Sequence, residues 1–376
     1  MKTEWVHKKL GECLTIGNGC DYKHLQHGDV PVYGTGGVMT YVDKYLYDGE
    51  TVCIGRKGTI NHPIYHNGKI WTVDTLFYTH SFLNVLPKFI YYTFCNIDWN
   101  KYNEATGVPS LSKETIYKIE IPIPYKNNKP DLSVQRRIAA ILSSADKVIA
   151  ATQKTIAKYK QIKQGMMEDL LKPKEGWKMV KLGEFIELQG GFAFQSRDFS
   201  DSGVPLIRIG DITPNGLNIS NSAKLPTDYL VEYENFVLNI NDTVIAMSGA
   251  TTGKCTLVTQ KDLPALLNQR VGRFRIKNNS IDKLFLYYIV SNNVYQQKLL
   301  LDAVGGAQPN VSPKQIESVF CNVPILSDGR PNLAEQHRIA AILSGIDAKI
   351  AAEEKVLEKY EKVKKGLLER LLSSKN

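Results

Sequence analysis

The sequence predicts an α+β chain: two globular domains joined by two long antiparallel helices, coiled-coil-like, about an approximate two-fold axis. Three observations predict it. Residues 135–171 and 336–372 align without a gap at an offset of 201 and agree at 20 of 37 positions. That period far exceeds the roughly 20–50 residues of a solenoid unit, so a whole domain with its helix is duplicated. Weaker matches upstream stay in register. Trp5…Lys9-Leu10-Gly11-Glu12 recurs as Trp177…Lys181-Leu182-Gly183-Glu184, Val30-Pro31 as Val204-Pro205, and Pro109-x-x-Ser112-x-x-x-Ile116 as Pro309-x-x-Ser312-x-x-x-Ile316. Finally, Trp177 follows the first repeated segment as Trp5 would follow the second if the ends were joined. This circular pattern predicts antiparallel helices and neighbouring termini.

In chain order the expected divisions are 1–132, a first domain; 133–172, a first helix; 173–331, a second domain; and 332–376, a second helix. In the first helix Leu142, Ala145, Ile149, Thr152, Ile156, Tyr159, Met166 and Leu170 recur in steps of three and four, with Lys163 bridging the one longer step. The second helix repeats this with Leu343, Ile346, Ile350, Glu353, Leu357, Tyr360, Leu367 and Leu371. Lys and Glu fill the faces between. Such a seam predicts helices about 50–55 Å long that bury their seams against each other. Turn-forming stretches at 127–131 and 327–331 precede them, and Pro173 stops the first. Residues 119–124, 319–324, the alternating run 41–47 and Leu206-Ile207-Arg208-Ile209 read as strands. Residues 33–80 and 190–275 share little, so one scaffold carries unlike middles.

The 376 residues are 43% hydrophobic and 23% charged, a globular composition with room for two or three cores. No apolar run approaches the roughly 18 residues of a membrane span. The basic start MKTEWVHKKLGE has no apolar stretch behind it, so it does not read as a signal peptide. Six scattered cysteines without a C-x-x-C pair predict reduced, packed thiols in a cytoplasm. The net charge of +9 suits a nucleic-acid partner.

The paired helix starts QRRIAAILSSAD and QHRIAAILSGID resemble those of specificity subunits of type I DNA restriction–modification systems. So do the W…KLGE domain starts, and Gly191-Phe192-Ala193-Phe194 with the run from Gly203 to Ile209. The resemblance covers essentially the whole chain. It implies two target recognition domains, each reading half of a split sequence in double-stranded DNA. It also implies that methyltransferase subunits, two by the internal repeat, and motor-nuclease (restriction) subunits assemble on this chain. The chain itself would be non-catalytic, without cofactor and away from membranes.

Arginine is the usual bidentate reader of guanine, and Asn or Gln of adenine. On that basis Arg56 in the first domain and Arg197, Arg208, Gln269 and Arg270 in the second are candidate base contacts. Lys57 and Lys254 lie in glycine-rich loops, 54–59 and 249–254, that follow similar strands, and are assigned to phosphate. The turn from Tyr33 to Gly37 would let backbone approach DNA closely. Residues 249–254 resemble a P-loop but place three residues between the glycines instead of four, with Cys255 where Ser or Thr is needed. His62 and His66 have i, i+4 spacing, yet Pro63 argues against a helix and no Cys or carboxylate cluster is near. No Asn/Asp-Pro-Pro-aromatic methyltransferase motif, nuclease constellation or Ser-His-Asp order is found. Two readings from other classes remain: a two-site nucleotide-dependent enzyme, and a bivalent protein-binding scaffold.

Overall fold

The computed structural model describes residues 4–213, 216–301 and 309–373. Two compact units emerge, 1–155 with 353–376, and 156–352. They do not follow chain order. Each takes part of both long helices, Leu132–Leu170 and Leu333–Leu371, which are 39 residues each.

The first unit is built on a six-stranded sheet. Its order is Thr15–Asn18, Leu76–His80, Tyr47–Gly55, Ile64–Thr72, Val30–Gly34, Gly37–Val42. Neighbours are antiparallel except Val30–Gly34 against Ile64–Thr72. The expected continuous strand over 41–47 is broken at 43–46. There the chain leaves the edge of the sheet for its centre, and Asp43 pairs with Gln26 instead: its amide donates to the Gln26 carbonyl and its carboxylate accepts from the Gln26 amide. Glu4–Lys9 pairs antiparallel with Glu120–Lys126, and the 3₁₀ turn Leu10–Glu12 is tied down by Leu10 N donating to Ile119 O at 2.9 Å. Trp99, Phe89, Phe94 and Leu10 centre the core. Ile138, Ala139 and Leu142 of the first long helix join it, as do Leu367, Leu368, Leu371 and Leu372 from the end of the second. The helices therefore run antiparallel within this unit, with Asp146 facing Lys364.

The second unit repeats the plan. Trp177–Lys181 pairs antiparallel with Phe320–Pro324, and Leu182 N donates to Val319 O at 3.0 Å. A four-stranded sheet runs Ile186–Gly190, Val271–Ile276, Thr243–Ala246, Cys255–Leu257. Val204–Ile207 belongs to a separate small sheet, between Lys224–Leu225 and Leu266–Leu267. The expected strand through Ile209 stops short: Arg208 caps the 3₁₀ turn Ile209–Asp211, its amide held 2.8 Å from Asp211 Oδ2. Met166, Met167 and Leu170 pack in one core with Ile339, Ala340 and Leu343, again with the helices antiparallel.

The identities in the repeat have physical causes. Gln135 Oε1 accepts from Leu86 N at 2.9 Å, and Gln336 Oε1 from Asp282 N at 2.8 Å, stapling each long helix to its unit. The Tyr92 hydroxyl donates to Asp146 Oδ2 (2.7 Å) and the Tyr288 hydroxyl to Asp347 Oδ2 (2.8 Å). Asp131 caps the first helix, accepting from the amides of Ser133 and Val134 at 3.0 and 3.1 Å. Asn332 does the same for the second through Glu335 N at 3.1 Å.

Candidate nucleic-acid interface

Each unit carries a cleft built by the same backbone pattern. In the first, a Cβ on Gly55 would lie 2.1 Å from Thr59 O, so only glycine lets the chain fold back at the end of Tyr47–Gly55. The resulting loop presents Arg56 and Lys57 to solvent. Gly58 N donates to Pro109 O (2.8 Å) and Leu111 N to Arg56 O (2.9 Å), which sets this loop beside the segment that carries Ser112 and Lys113. The cleft between them, 660 Å³, is lined by Asn18, Arg56, Lys57, Phe77, Glu104 and Lys113 among others. Arg56 Cζ and Lys113 Nζ each lie 5.9 Å from the centre of the Phe77 ring. Burial, and then the like charge of Arg56, push the Lys113 ammonium down from its ordinary value. Glu104 accepts from the hydroxyls of Thr115 and Ser112, which hold its carboxyl below the usual range.

In the second unit Gly249 N donates to Pro309 O (3.2 Å) and Val311 N to Met247 O (2.8 Å). The Pro-x-x-Ser repeat thus does one job twice, and Ser112 and Ser312 each accept an amide at the start of the short helix that follows. A Cβ on Gly191 would fall 2.3 Å from the carbonyl oxygens of both Leu267 and Asn268. Glycine lets this segment cross over them, and Phe192 O then accepts from Gln269 N at 2.9 Å. Gln269 and Arg270 are held at the mouth of a 430 Å³ cleft, with Ser248, Gly249, Asn310 and Ser312.

Four of the seven candidate residues line these clefts: Arg56, Lys57, Gln269 and Arg270. Arg197 is exposed on the 3₁₀ turn Ser196–Asp198, and Arg208 Nε sits 4.0 Å from Asp211 Oδ2. Neither lines a cleft. The sequence matches Lys57 with Lys254, but the hydrogen bonds match it with Ser248, because Gly249 takes the place of Gly58. Lys254 lies beyond the turn, exposed, its carbonyl accepting from Ala246 N. On the same pattern Arg56 corresponds to Met247, and the Pro-x-x-Ser register places Pro313 at the position of Lys113. The first cleft takes its guanidinium from the loop; the second takes it from the approach to the neighbouring strand, Val271–Ile276. Lys113, Glu104 and Asn310 were hidden from sequence reading. The Pro-x-x-Ser repeat was the signal that could have found them.

Residues 249–254 lead into the strand Cys255–Leu257, not into the helix a phosphate-cradling loop requires. His66 lies in a strand with Nε2 3.0 Å from Lys69 O, and His62 is exposed outside it. Among the described residues no group of His, Cys, Asp or Glu could hold a metal ion, and no helix is long and apolar enough to cross a membrane. Cys53 and Cys255 are buried, which pushes their thiols up to about 12.

The type I restriction modification DNA specificity domain matches residues 2–161 and 174–362. The chain is similar to the type I restriction enzyme MjaVIII specificity subunit of Methanocaldococcus jannaschii, at 29% identity over 88% of this chain and 78% of that one. It is 30% identical to the EcoAI specificity subunit of Escherichia coli over 44% of this chain and 27% of the relative. Among solved structures, the S subunit of a type I restriction–modification system from M. genitalium superposes with a TM-score of 0.66, covering 99% of this chain and 97% of the other at 14% identity. That likeness speaks to the fold. The family matches, one on each repeat and together spanning most of the sequence, make this chain a member of the type I restriction–modification DNA specificity family.

Proposed function

We propose that this chain is the DNA-reading subunit of a type I restriction–modification complex. It recognises a bipartite target in double-stranded DNA and directs methyltransferase and restriction subunits to it. The observation that carries this reading is one cleft built twice on the same backbone but lined with different side chains. A shared frame with unlike linings is what two readers of different half-sites need.

Arg56 serves the first half-site, and Gln269 and Arg270 the second, through the fork geometry that engages two base acceptors at once. Lys57 holds phosphate beside Arg56. Arg197, Arg208 and Lys254, outside the clefts, flank the second reader. Phosphate contacts fix register, and base contacts specify. Chemistry belongs to the partners, two methyltransferase subunits matching the two repeats, and the chain acts in the cytoplasm without a cofactor of its own. A nucleotide-dependent enzyme is disfavoured by the path of residues 249–254 into a strand. A purely protein-binding scaffold would lack DNA affinity that falls steeply with salt.

The test is a swap of residues 177–331 for the second domain of another family member, followed by mapping of methylated positions. One half of the target should change and the other persist. A change in both halves, or in neither, would sink the reading.

A further inference from the structure

The two equivalent clefts differ in charge. Around the first stand Arg56, Lys57 and Lys113, and none of them forms an ion pair with a described residue. Glu104, the one carboxylate in that lining, is already engaged by two hydroxyls. Arg56 and Lys113 share the Phe77 ring at 5.9 Å each, so two like charges converge on one ring. An anion entering there would relieve their repulsion and replace the water lost to partial burial. In the second cleft the corresponding positions are Met247, Ser248 and Pro313, and among the described residues Arg270 is the only charged one in the lining. Ser248 Oγ is buried there without a partner, beside Gln269 and Asn310: groups suited to hydrogen-bonding a neutral base edge.

We propose that Lys113 and Lys57 form a backbone-phosphate clamp beside Arg56 in the first cleft, and that the second cleft has no such clamp. The assignment rests on the DNA-reading function above. It makes DNA anchoring asymmetric: the first cleft adds sequence-independent grip to the base reading by Arg56, and the second reads through Gln269 and Arg270 without that grip. Lysine suits the clamp because a point charge follows a phosphate without demanding a planar partner.

The test uses the full chain assembled with its methyltransferase subunits and a pool of duplexes of randomised sequence, titrated over a series of salt concentrations. Lys113→Ala and Lys57→Ala should each reduce the slope of log K against log salt by about 0.9, the value of one lost phosphate contact. Affinity should fall alike on every duplex. Lys113→Arg should keep the slope. Ser248→Lys with Pro313→Lys should raise it, and thermal melting checks that each variant folds. An unchanged slope for Lys113→Ala, or a loss confined to one sequence, overturns the clamp. So does Lys113-dependent binding of inorganic phosphate or ATP without any change in the DNA slope. If the wild-type assembly cannot distinguish its own methylation site from the pool, the underlying reading falls; an unchanged slope with discrimination intact removes the clamp alone.

Discussion

Lys163 Nζ lies 2.7 Å from Asp347 Oδ1 in the second unit, and the same pair recurs in the first as Lys364 and Asp146 at 2.5 Å. In each case a lysine of one long helix meets an aspartate of the other, and that aspartate also accepts a tyrosine hydroxyl from the globular part. These are the repeat's register marks. Asp347→Ala should leave the Lys163 ammonium and the Tyr288 hydroxyl without their shared acceptor in a half-buried site. We expect a loss of about 1–2 kcal/mol in urea unfolding. Adding Tyr288→Phe should cost less in that background than in the wild type, with a coupling of about 0.5–1.5 kcal/mol. Strict additivity would show that the two contacts act separately.

The helix caps predict a pH asymmetry. Asp131 is held below the usual carboxylate range, chiefly by the Ser133 hydroxyl and then by the Val134 amide. Its folded value lies below its unfolded one. The cap's contribution is therefore present above about pH 4 and is lost as pH falls through the depressed value. Asn332, at the equivalent place, does not titrate. Between about pH 5 and pH 2 the protection of backbone amides, relative to their intrinsic exchange rate, should fall at the start of the first long helix before it does at the second. Asp131→Asn should remove the difference. If the difference persists in that variant, acid acts elsewhere.

Gly191 sits where any side chain would meet two carbonyl oxygens. Gly191→Ala should displace Leu267 and Asn268 and, through Phe192 O, Gln269 and Arg270. Melting should reveal a loss of roughly 2 kcal/mol or more. Discrimination at the second half-site should fall while that at the first persists. Equal loss at both would mean that the effect is not local.

Arg273 is 1% exposed, with its guanidinium bonded to Asp242, Gln189 and the carbonyls of Asn235 and Val237. Arg273→Met strands a carboxylate and two carbonyls, and should cost about 3–5 kcal/mol. Asp242→Asn keeps the shape but leaves the buried guanidinium without its counter-charge, and should also destabilise. Any loss of DNA binding in Arg273→Met should follow the unfolding curve and not the choice of duplex.

That arginine also marks how far the sequence could be read. Arg270, Arg273 and Arg275 stand within six residues, and composition cannot tell a reader from a buried strut. Arg273 lies in the run Val271–Phe274, which is buried throughout, and Asp242 and Gln189 receive it there, while Arg270 precedes the strand and stays in solvent. The helices were legible because seam and repeat reinforce each other; Asp146 and Asp347 are identical for a reason the fold supplies. The clefts were only half legible. Their frame comes from hydrogen bonds between segments about fifty residues apart, such as Leu111 N to Arg56 O, and local spacing carries no trace of such a partner. Lys254 was matched to Lys57 because both follow a glycine-rich strand end, and only the backbone partners of Gly58 and Gly249 show which residue takes which place.

The first unit borrows Leu367, Leu368, Leu371 and Leu372 for a core begun at Leu10. On the ribosome, then, the part made first is the part finished last: its apolar seam at Ile138 and Leu142 must wait while the entire second unit is synthesised. The second unit has all its pieces by residue 352 and can close before the first. A nascent chain stalled between these points would present a finished reader attached to an unfinished one, with a bare apolar stripe for quality-control factors to find.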